Sequence, residues 1–401
     1  MSTKYIIIGS SAAGIATINT IARLDKTADI TCISNEEENP YNKCVIVDYL
    51  SGDKTQEQVY TLTKEFCKKK NINLLLGIAV TKILPQTKEI LLQNGKKLQY
   101  DFLFIGTGAS PIVPKVAGSE NVSGVFAFHT LKNTNTLLSF IKQHKPKKAV
   151  VVGAGLSGLE CLDGLMSHNI ELCLVDMQKQ VLYRQVDRRA AELIQNYMQQ
   201  KNVSFYSNDL VSEVKSKDDK VTGVVLASGT ILEADMVIFT VGSRPNSNLA
   251  LDAKIALKGH SIFVDDHMRT SQEHIYAGGD AAMVKDYRTK EYVQSCTWPD
   301  AMQQGVVAAH AMVGKQKIYP GALSIVSSSF FDIKFISCGP VAKDDEKYEV
   351  IINSADNYYH KFLLYEDRLI GYLMVGQIKN LSALRRAYLT QEIISKEIFF
   401  S

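Results

Sequence analysis

The chain has 401 residues, 46% hydrophobic and 22% charged, with 25 Gly and 9 Pro. That composition suits a globular protein of roughly two to three domains and excludes a disordered, collagen-like or low-complexity chain. Forty-five basic against 42 acidic residues leave a formal charge of +3, which gives no general attraction for nucleic acid or an anionic membrane; the lysine clusters at 68–70 and 145–148 read as solvated faces.

Tyr5-Ile6-Ile7-Ile8 reads as a buried strand. It is too short for the apolar core of a signal peptide or for a membrane span, so a cytoplasmic protein is expected. Gly9-x-Ser11-x-x-Gly14 follows, then a helical pattern and a second strand, Ile30 to Ile33, ending at Ser34-Asn35-Glu36. A strand, a glycine turn, a helix and a second strand form the unit that presents free N–H groups and the positive helix end to a pyrophosphate. Ser11 replaces the middle glycine, yet serine still permits close approach of the backbone. Glu36 is the expected ribose partner; the alternative is that Glu36-Glu37-Glu38 is a solvated loop.

The same plan recurs 134 residues later. Tyr100 to Pro111 matches Ala234 to Pro245, and the turns Asn94-Gly95 and Ser228-Gly229 keep that spacing. Upstream of the second copy, Ala149 to Val152 leads into Gly153-x-Gly155-x-x-Gly158, and the strand Glu171 to Val175 ends at Asp176, 18 residues after Gly158. A carboxylate there accepts hydrogen bonds from ribose hydroxyls and repels a 2′-phosphate. No arginine stands at 177–180, which favours NADH over NADPH, with Lys179 the one nearby cation. Each half is therefore expected to hold one dinucleotide.

The seven cysteines form no C-x-x-C pair, no zinc spacing and no even framework, so reduced and mostly structural thiols are expected and no metal site. From about Pro320 the pattern changes to short strands, Phe330 to Ser337, Tyr348 to Ile352, Tyr358 to Tyr365 and Leu369 to Val375, with a hairpin turn at Glu366-Asp367-Arg368 and a helix-like run from Leu381 to Glu397.

In order, Gly9-x-Ser11-x-x-Gly14, Thr107-Gly108-Ala109, Gly153-x-Gly155-x-x-Gly158-x-Glu160, Val241-Gly242-x-Arg244-Pro245-Asn246 and Tyr276-Ala277-Gly278-Gly279-Asp280 resemble the FAD-dependent pyridine nucleotide–disulfide oxidoreductase superfamily over essentially the whole chain. Its rubredoxin reductase, nitrite reductase flavoprotein and NADH oxidase–CoA-disulfide reductase branches are the most similar. The resemblance implies an α/β fold with two Rossmann-like domains. A discontinuous FAD domain (1–111 and 238–319) would carry an inserted NADH domain (112–237), followed by a small α/β domain (320–401) that lies over the flavin or at a homodimer contact. It implies cofactor-binding roles for Gly9, Ser11, Ala13, Gly14, Glu36, Lys43, Thr107, Gly108, Ala109, Gly153, Gly155, Gly158, Asp176, Gly242, Asp280 and Trp298. Asp280 would reach the ribityl or pyrophosphate end of FAD. Trp298 would either border the ring or anchor one domain on another.

The superfamily places its redox loop at Pro40-Tyr41-Asn42-Lys43-Cys44. This P-Y-x-K pattern looks like the rubredoxin and nitrite reductase branch, which has proline where Cys44 stands. Branches acting on persulfides, CoA disulfide or dioxygen carry one redox cysteine there, usually followed by Gly, whereas here Val45 follows. Cys44 is thus either a redox thiol or a packing residue. In relatives the basic residue and the glutamate of the second motif, here Lys43 and Glu160, meet near flavin N5. The paired cysteines and C-terminal His-Glu of glutathione- and lipoamide-type reductases are absent, which argues against that chemistry. Three readings follow: an NADH-dependent flavoprotein passing electrons to a small rubredoxin- or ferredoxin-like protein, a Cys44-dependent oxidase or persulfide/CoA-disulfide reductase of a small-molecule acceptor, or a slow-turnover flavin redox sensor or scaffold.

Overall fold

A computed structural model describes residues 2–342 and 345–400, so Met1, Lys343, Asp344 and Ser401, all within the expected domain limits, lie outside the described residues. Strand β1 (Lys4–Ile8) is buried after its first residue and turns at Gly9 into α1 (Ala12–Leu24). With β2 (Asp29–Ile33), β3 (Ile72–Leu75) and β4 (Phe102–Ile105) it forms parallel neighbours in the order β3-β2-β1-β4. Continuous apolar runs such as Tyr5 to Ile8 suit strands covered on both faces. A three-stranded antiparallel sheet spans residues 80–99.

The chain then passes through β5 (Ala109–Pro111) into a second unit: β6 (Val125–Ala127), α2 (Leu131–His144), β7 (Lys148–Val152), α3 (Leu156–Leu165), β8 (Glu171–Asp176), α4 (Arg188–Gln200), β9 (Ser204–Ser207) and β10 (Met236–Phe239). Its parallel order is β9-β8-β7-β10-β6, and it too carries a three-stranded antiparallel sheet, over residues 211–233. Val152 pairs with Phe239 and Phe239 with Ala127, so β10 stays in this sheet across the expected 237/238 limit.

Next, β11 (Ser243–Pro245) pairs antiparallel with β5, Ala109 opposite Pro245 and Pro111 opposite Ser243. The matching segments of the two copies thus bind each other as a double-stranded connection. Strand β12 (Ile275–Ala277) then returns to the first sheet beside β4, giving both sheets the same order. Helix α5 (Trp298–Met312) lies so close to α1 that a Cβ on Gly305 would fall 2.2 Å from Ala13 O, and Thr17 Oγ1 lies 2.8 Å from Ala13 O and 3.2 Å from Gly305 O.

The tail forms an antiparallel sheet of β13 (Ile325–Phe330), β14 (Ile333–Cys338), β15 (Glu349–Ala355), β16 (Tyr358–Tyr365) and β17 (Arg368–Val375), ordered β13-β14-β17-β16-β15 and covered by α6 (Leu381–Thr390). The run expected as one strand over Phe330–Ser337 begins at the turn of a hairpin: Phe330 closes β13, and β14 carries the strand from Ile333. Phe331 and Asp332 take φ of 54° and 64° at its turn, and Phe331 N donates to Asp163 Oδ1 at 2.7 Å. The last helix stops at Thr390, because Gln391 adopts a left-handed conformation, and a short turn at Lys396–Phe399 replaces its expected continuation to Glu397. Lys361, fully buried, donates to Val341 O and pairs at 3.1 Å with Asp187, the N-cap of α4, which also accepts from Tyr359 OH at 2.8 Å. The tail is therefore packed on the second unit.

Candidate dinucleotide and electron-transfer site

Ser11 and Gly155 are the N-caps of α1 and α3; neither makes a side-chain cap, and neither helix has an acid in its first turn. Thr130, Asp187 and Thr297 do cap α2, α4 and α5 with their side chains. The two helices that follow the glycine turns thus keep amide groups available to an anion. Gly9 and Gly153 take φ of 105° and 111° to make the turns, conformations costly for other residues. Gly14 and Gly158 permit close packing, since a Cβ on either would fall 1.9 or 1.8 Å from the oxygen of Gly9 or Gly153. Gly155 differs: its φ is −78° and no heavy atom lies within 4 Å of an added Cβ. Neither backbone strain nor packing explains a glycine there, whereas close approach of a dinucleotide phosphate does, so the residues present fit such a group. Ala13 is buried where α1 meets α5 and Gly279, with its Cβ 3.3 Å from one built on Gly279.

Asp176 closes the second turn: its carboxylate accepts from Ala154 N at 2.5 Å and from Gln178 N at 2.6 Å. In the first unit Glu36 is half-buried and accepts from Tyr41 OH at 2.8 Å; Tyr41 in turn accepts from Leu131 N at 3.1 Å. Burial holds the Glu36 carboxyl above its usual range against the pull of Tyr41 and Lys43, and one oxygen of the neighbouring Glu38 is buried without a partner. The connection between the units is tied by Asn246, whose Nδ2 donates to Thr107 O at 3.0 Å while its own carbonyl accepts from Thr107 Oγ1 at 2.7 Å and its N–H donates to Gly108 O at 2.9 Å. Gly242 O accepts from Ile112 N in the same connection.

Lys43 opens a short turn (Lys43–Val45), and its Nζ lies 2.6 Å from His129 Nε2. Burial lowers the Lys43 pKa, while Asp280, Glu36, Cys296 and Cys44 act to keep it charged. The half-buried Asp280 is raised by burial and opposed by Lys43. Desolvation and Glu160 push the Cys44 thiol up to about 11; Cys296, just ahead of α5, is pushed up to about 12 by burial and Asp280. Trp298, the first residue of α5, is half-buried against the first unit's core.

Among the described residues no hydrogen bond or ion pair joins Lys43 and Glu160, although both act on the Cys44 thiol. Glu160 turns to the tail, where its Oε1 accepts from Ser328 Oγ at 2.8 Å, and burial with Asp163 and Asp48 raises its pKa to about 7. His129, Ser328 and Cys296 escape sequence reasoning as site residues, and Asn246 enters there only as part of a motif. The only local signal for His129 is the Thr130–Asn133 capping box after it, which marks a helix start but not what the imidazole faces.

Comparison with known proteins agrees with this geometry. Residues 3–305 match the pyridine nucleotide-disulphide oxidoreductase family, and residues 329–392 match the rubredoxin NAD+ reductase C-terminal domain. An NADH oxidase of Methanocaldococcus jannaschii is 33% identical over 81% of this chain and 73% of its own length. A nitrite reductase [NAD(P)H] of Bacillus subtilis is 28% identical over 93% of this chain, which spans only 45% of that protein. The structure of an NAD-dependent persulfide reductase from A. fulgidus superposes with a TM-score of 0.90 at 28% identity, over 97% of this chain and 77% of that one. With three quarters of its length matched and both glycine turns in place, the chain belongs to the pyridine nucleotide-disulphide oxidoreductase family.

Proposed function

We infer that the protein is an NADH-dependent reductase of a small redox protein of rubredoxin or ferredoxin type, with FAD at the first glycine turn and NADH at the second. Family membership makes it an FAD- and NAD(H)-dependent oxidoreductase. The observation that carries the acceptor is the rubredoxin reductase-type domain at 329–392. When bound, FAD supplies acceptance of an electron pair from a hydride donor and its release singly or together.

The chain's own residues hold and orient these groups. The amides of α1 behind Gly9, Ser11, Ala13 and Gly14 bind the flavin pyrophosphate, and Glu36 the adenosine ribose. Asp280 and the Thr107-Gly108-Ala109 and Gly242 connection line the same cleft, with Trp298 at its α5 side. The amides of α3 behind Gly153, Gly155 and Gly158 bind the NADH pyrophosphate, and Asp176 its ribose. Lys43 holds positive charge in the cleft, where charge develops on reduction. The FAD unit is proposed over 1–111 and, because β10 stays in the second sheet to Phe239, from 240 to 319; the NADH unit is 112–239 and the tail 320–401. All seven cysteines are free, which supports a cytoplasmic location, and among the described residues no helix is long and apolar enough to cross a membrane.

A second reading, Cys44-dependent reduction of a persulfide or disulfide, is favoured by the exposure of Cys44 beside Lys43; a thiol pushed up to about 11 works against it. An acceptor screen under anaerobic conditions separates the two. Rapid NADH-driven reduction of a rubredoxin or ferredoxin, retained by Cys44→Ser, supports the first reading. Persulfide reduction lost in Cys44→Ser, with no turnover of the protein acceptors, would overturn it.

A further inference from the structure

The loop at 36–43 is joined to the segment leading into α2 by two side-chain links. Glu36 accepts from Tyr41 OH, which accepts from Leu131 N. Two residues along each strand of chain, Lys43 Nζ meets His129 Nε2 at 2.6 Å. His129 is fixed on both sides, by the buried Phe128 before it and by Thr130, the side-chain N-cap of α2, after it. Its Nε2 also lies 2.9 Å from Ala109 O on β5.

Those two contacts demand opposite protonation. An imidazole nitrogen carrying hydrogen donates to a carbonyl but accepts nothing; one without hydrogen accepts from an ammonium and gives a carbonyl nothing. A charged Lys43 at 2.6 Å therefore requires a neutral imidazole with its proton on Nδ1. The surroundings agree, since desolvation and the lysine itself push the His129 pKa down to about 4.

We propose that His129 is the positioning residue for Lys43: its bare Nε2 accepts from the lysine ammonium and holds that charge in the cleft opposite Asp280. This deepens, and rests on, the reading of the first cleft as the FAD site. Asp280, Glu36, Cys296 and Cys44 are the other groups that act on Lys43, but among the described residues none of them hydrogen-bonds Nζ, so His129 supplies the direct contact. His129 is neutral across neutral pH, so the positive charge of the pair sits on Lys43 whenever the lysine is protonated. A proton gained at Nε2 turns that nitrogen to Ala109 O and displaces the lysine.

Removing the acceptor destabilises the ammonium in a desolvated site and lowers the Lys43 pKa further. In the flavin-loaded protein, His129→Leu is expected to move the alkaline limb of NADH-driven flavin reduction to lower pH by about one unit, a tenfold loss of rate above that limb. The flavin potential should fall with it, by about 30 mV for each tenfold change in the two-electron equilibrium. His129→Gln, whose amide oxygen can accept in place of Nε2, should restore both. Independently, the ring nitrogens of histidine-labelled wild-type protein at pH 7.5, with and without flavin, should show His129 protonated on Nδ1 and bare on Nε2. A wild-type His129 carrying its proton on Nε2, or a His129→Leu protein with unchanged pH profile and potential, overturns the proposal. If His129→Leu does not fold, the wild-type spectrum decides alone. A protein that retains the Nδ1-protonated spectrum but binds no FAD defeats the reading of the cleft and not the Lys43–His129 contact.

Discussion

Glu160, on the helix that follows the second glycine turn, accepts a 2.8 Å hydrogen bond from Ser328 in the first strand of the tail sheet, 168 residues away in sequence. This bond and the neighbouring Asp163–Phe331 N bond attach α3 to the tail, so Glu160 is part of a contact between units.

The pH dependence of that contact has a definite sign. Burial first, then Asp163 and Asp48, raise Glu160 to about 7, while Ser328 lowers it. A carboxyl raised on folding contributes stability that is present in full below its unfolded value of about 4.3 and is lost as pH rises through about 7. Glu160→Gln should therefore gain on the wild type between pH 5 and pH 8.5, by on the order of 2 kcal/mol. Urea unfolding of the flavin-loaded proteins at the two pH values measures the difference. Ser328→Ala should move the midpoint of this pH effect upward, because it removes the bond that favours the charged form.

Gly155 and Gly158 sit in one turn but answer to different constraints. Alanine at 158 would place Cβ 1.8 Å from Gly153 O, whereas alanine at 155 meets nothing within 4 Å. Gly158→Ala should destabilise the protein by about 3 kcal/mol or more. Gly155→Ala should unfold within about 0.5 kcal/mol of the wild type and yet raise the KM for NADH at least tenfold. Thermal unfolding beside steady-state kinetics checks both; an unaltered KM in Gly155→Ala would count against a phosphate there.

Asp176 braces Ala154 and Gln178 through their amides, and in the proposed function it also repels a 2′-phosphate. Asp176→Asn keeps one acceptor oxygen and removes the charge. The ratio of kcat/KM for NADH over NADPH should fall roughly tenfold or more, which corresponds to about 1.4 kcal/mol. The melting temperature should fall as well, because Ala154 N and Gln178 N are held by different carboxylate oxygens and Asn leaves one of them unpaired.

Cys44 is exposed, yet its thiol is pushed up to about 11. The thiol is therefore overwhelmingly protonated at pH 7. Iodoacetamide labelling of Cys44, read by peptide mass, should accelerate about tenfold per pH unit from 7 to 10 without a neutral plateau. A plateau near pH 7 would point to a stabilised thiolate and to the persulfide reading.

The local elements were legible because their causes are local. Gly9 and Gly153 are required by the turns they make, Gly14 and Gly158 by the helix that starts beside them, and the 134-residue repeat carries a whole sheet order with it. Asp176 stands at the end of its strand and must meet the adjacent turn. The tail was less legible: Phe330 to Ser337 reads as one apolar strand, because nothing in hydrophobicity marks two left-handed residues at Phe331 and Asp332.

What joins the units was left to tertiary structure. Lys43 meets His129, Glu160 meets Ser328, Asn246 closes on Thr107, and Cys296 arrives beside Asp280 and Lys43. Composition, spacing and motif determined that this chain holds two dinucleotide units and a tail. The docking of separately patterned surfaces decided which charged groups face one another, since that depends on burial and distance across segments whose sequences place no constraint on each other.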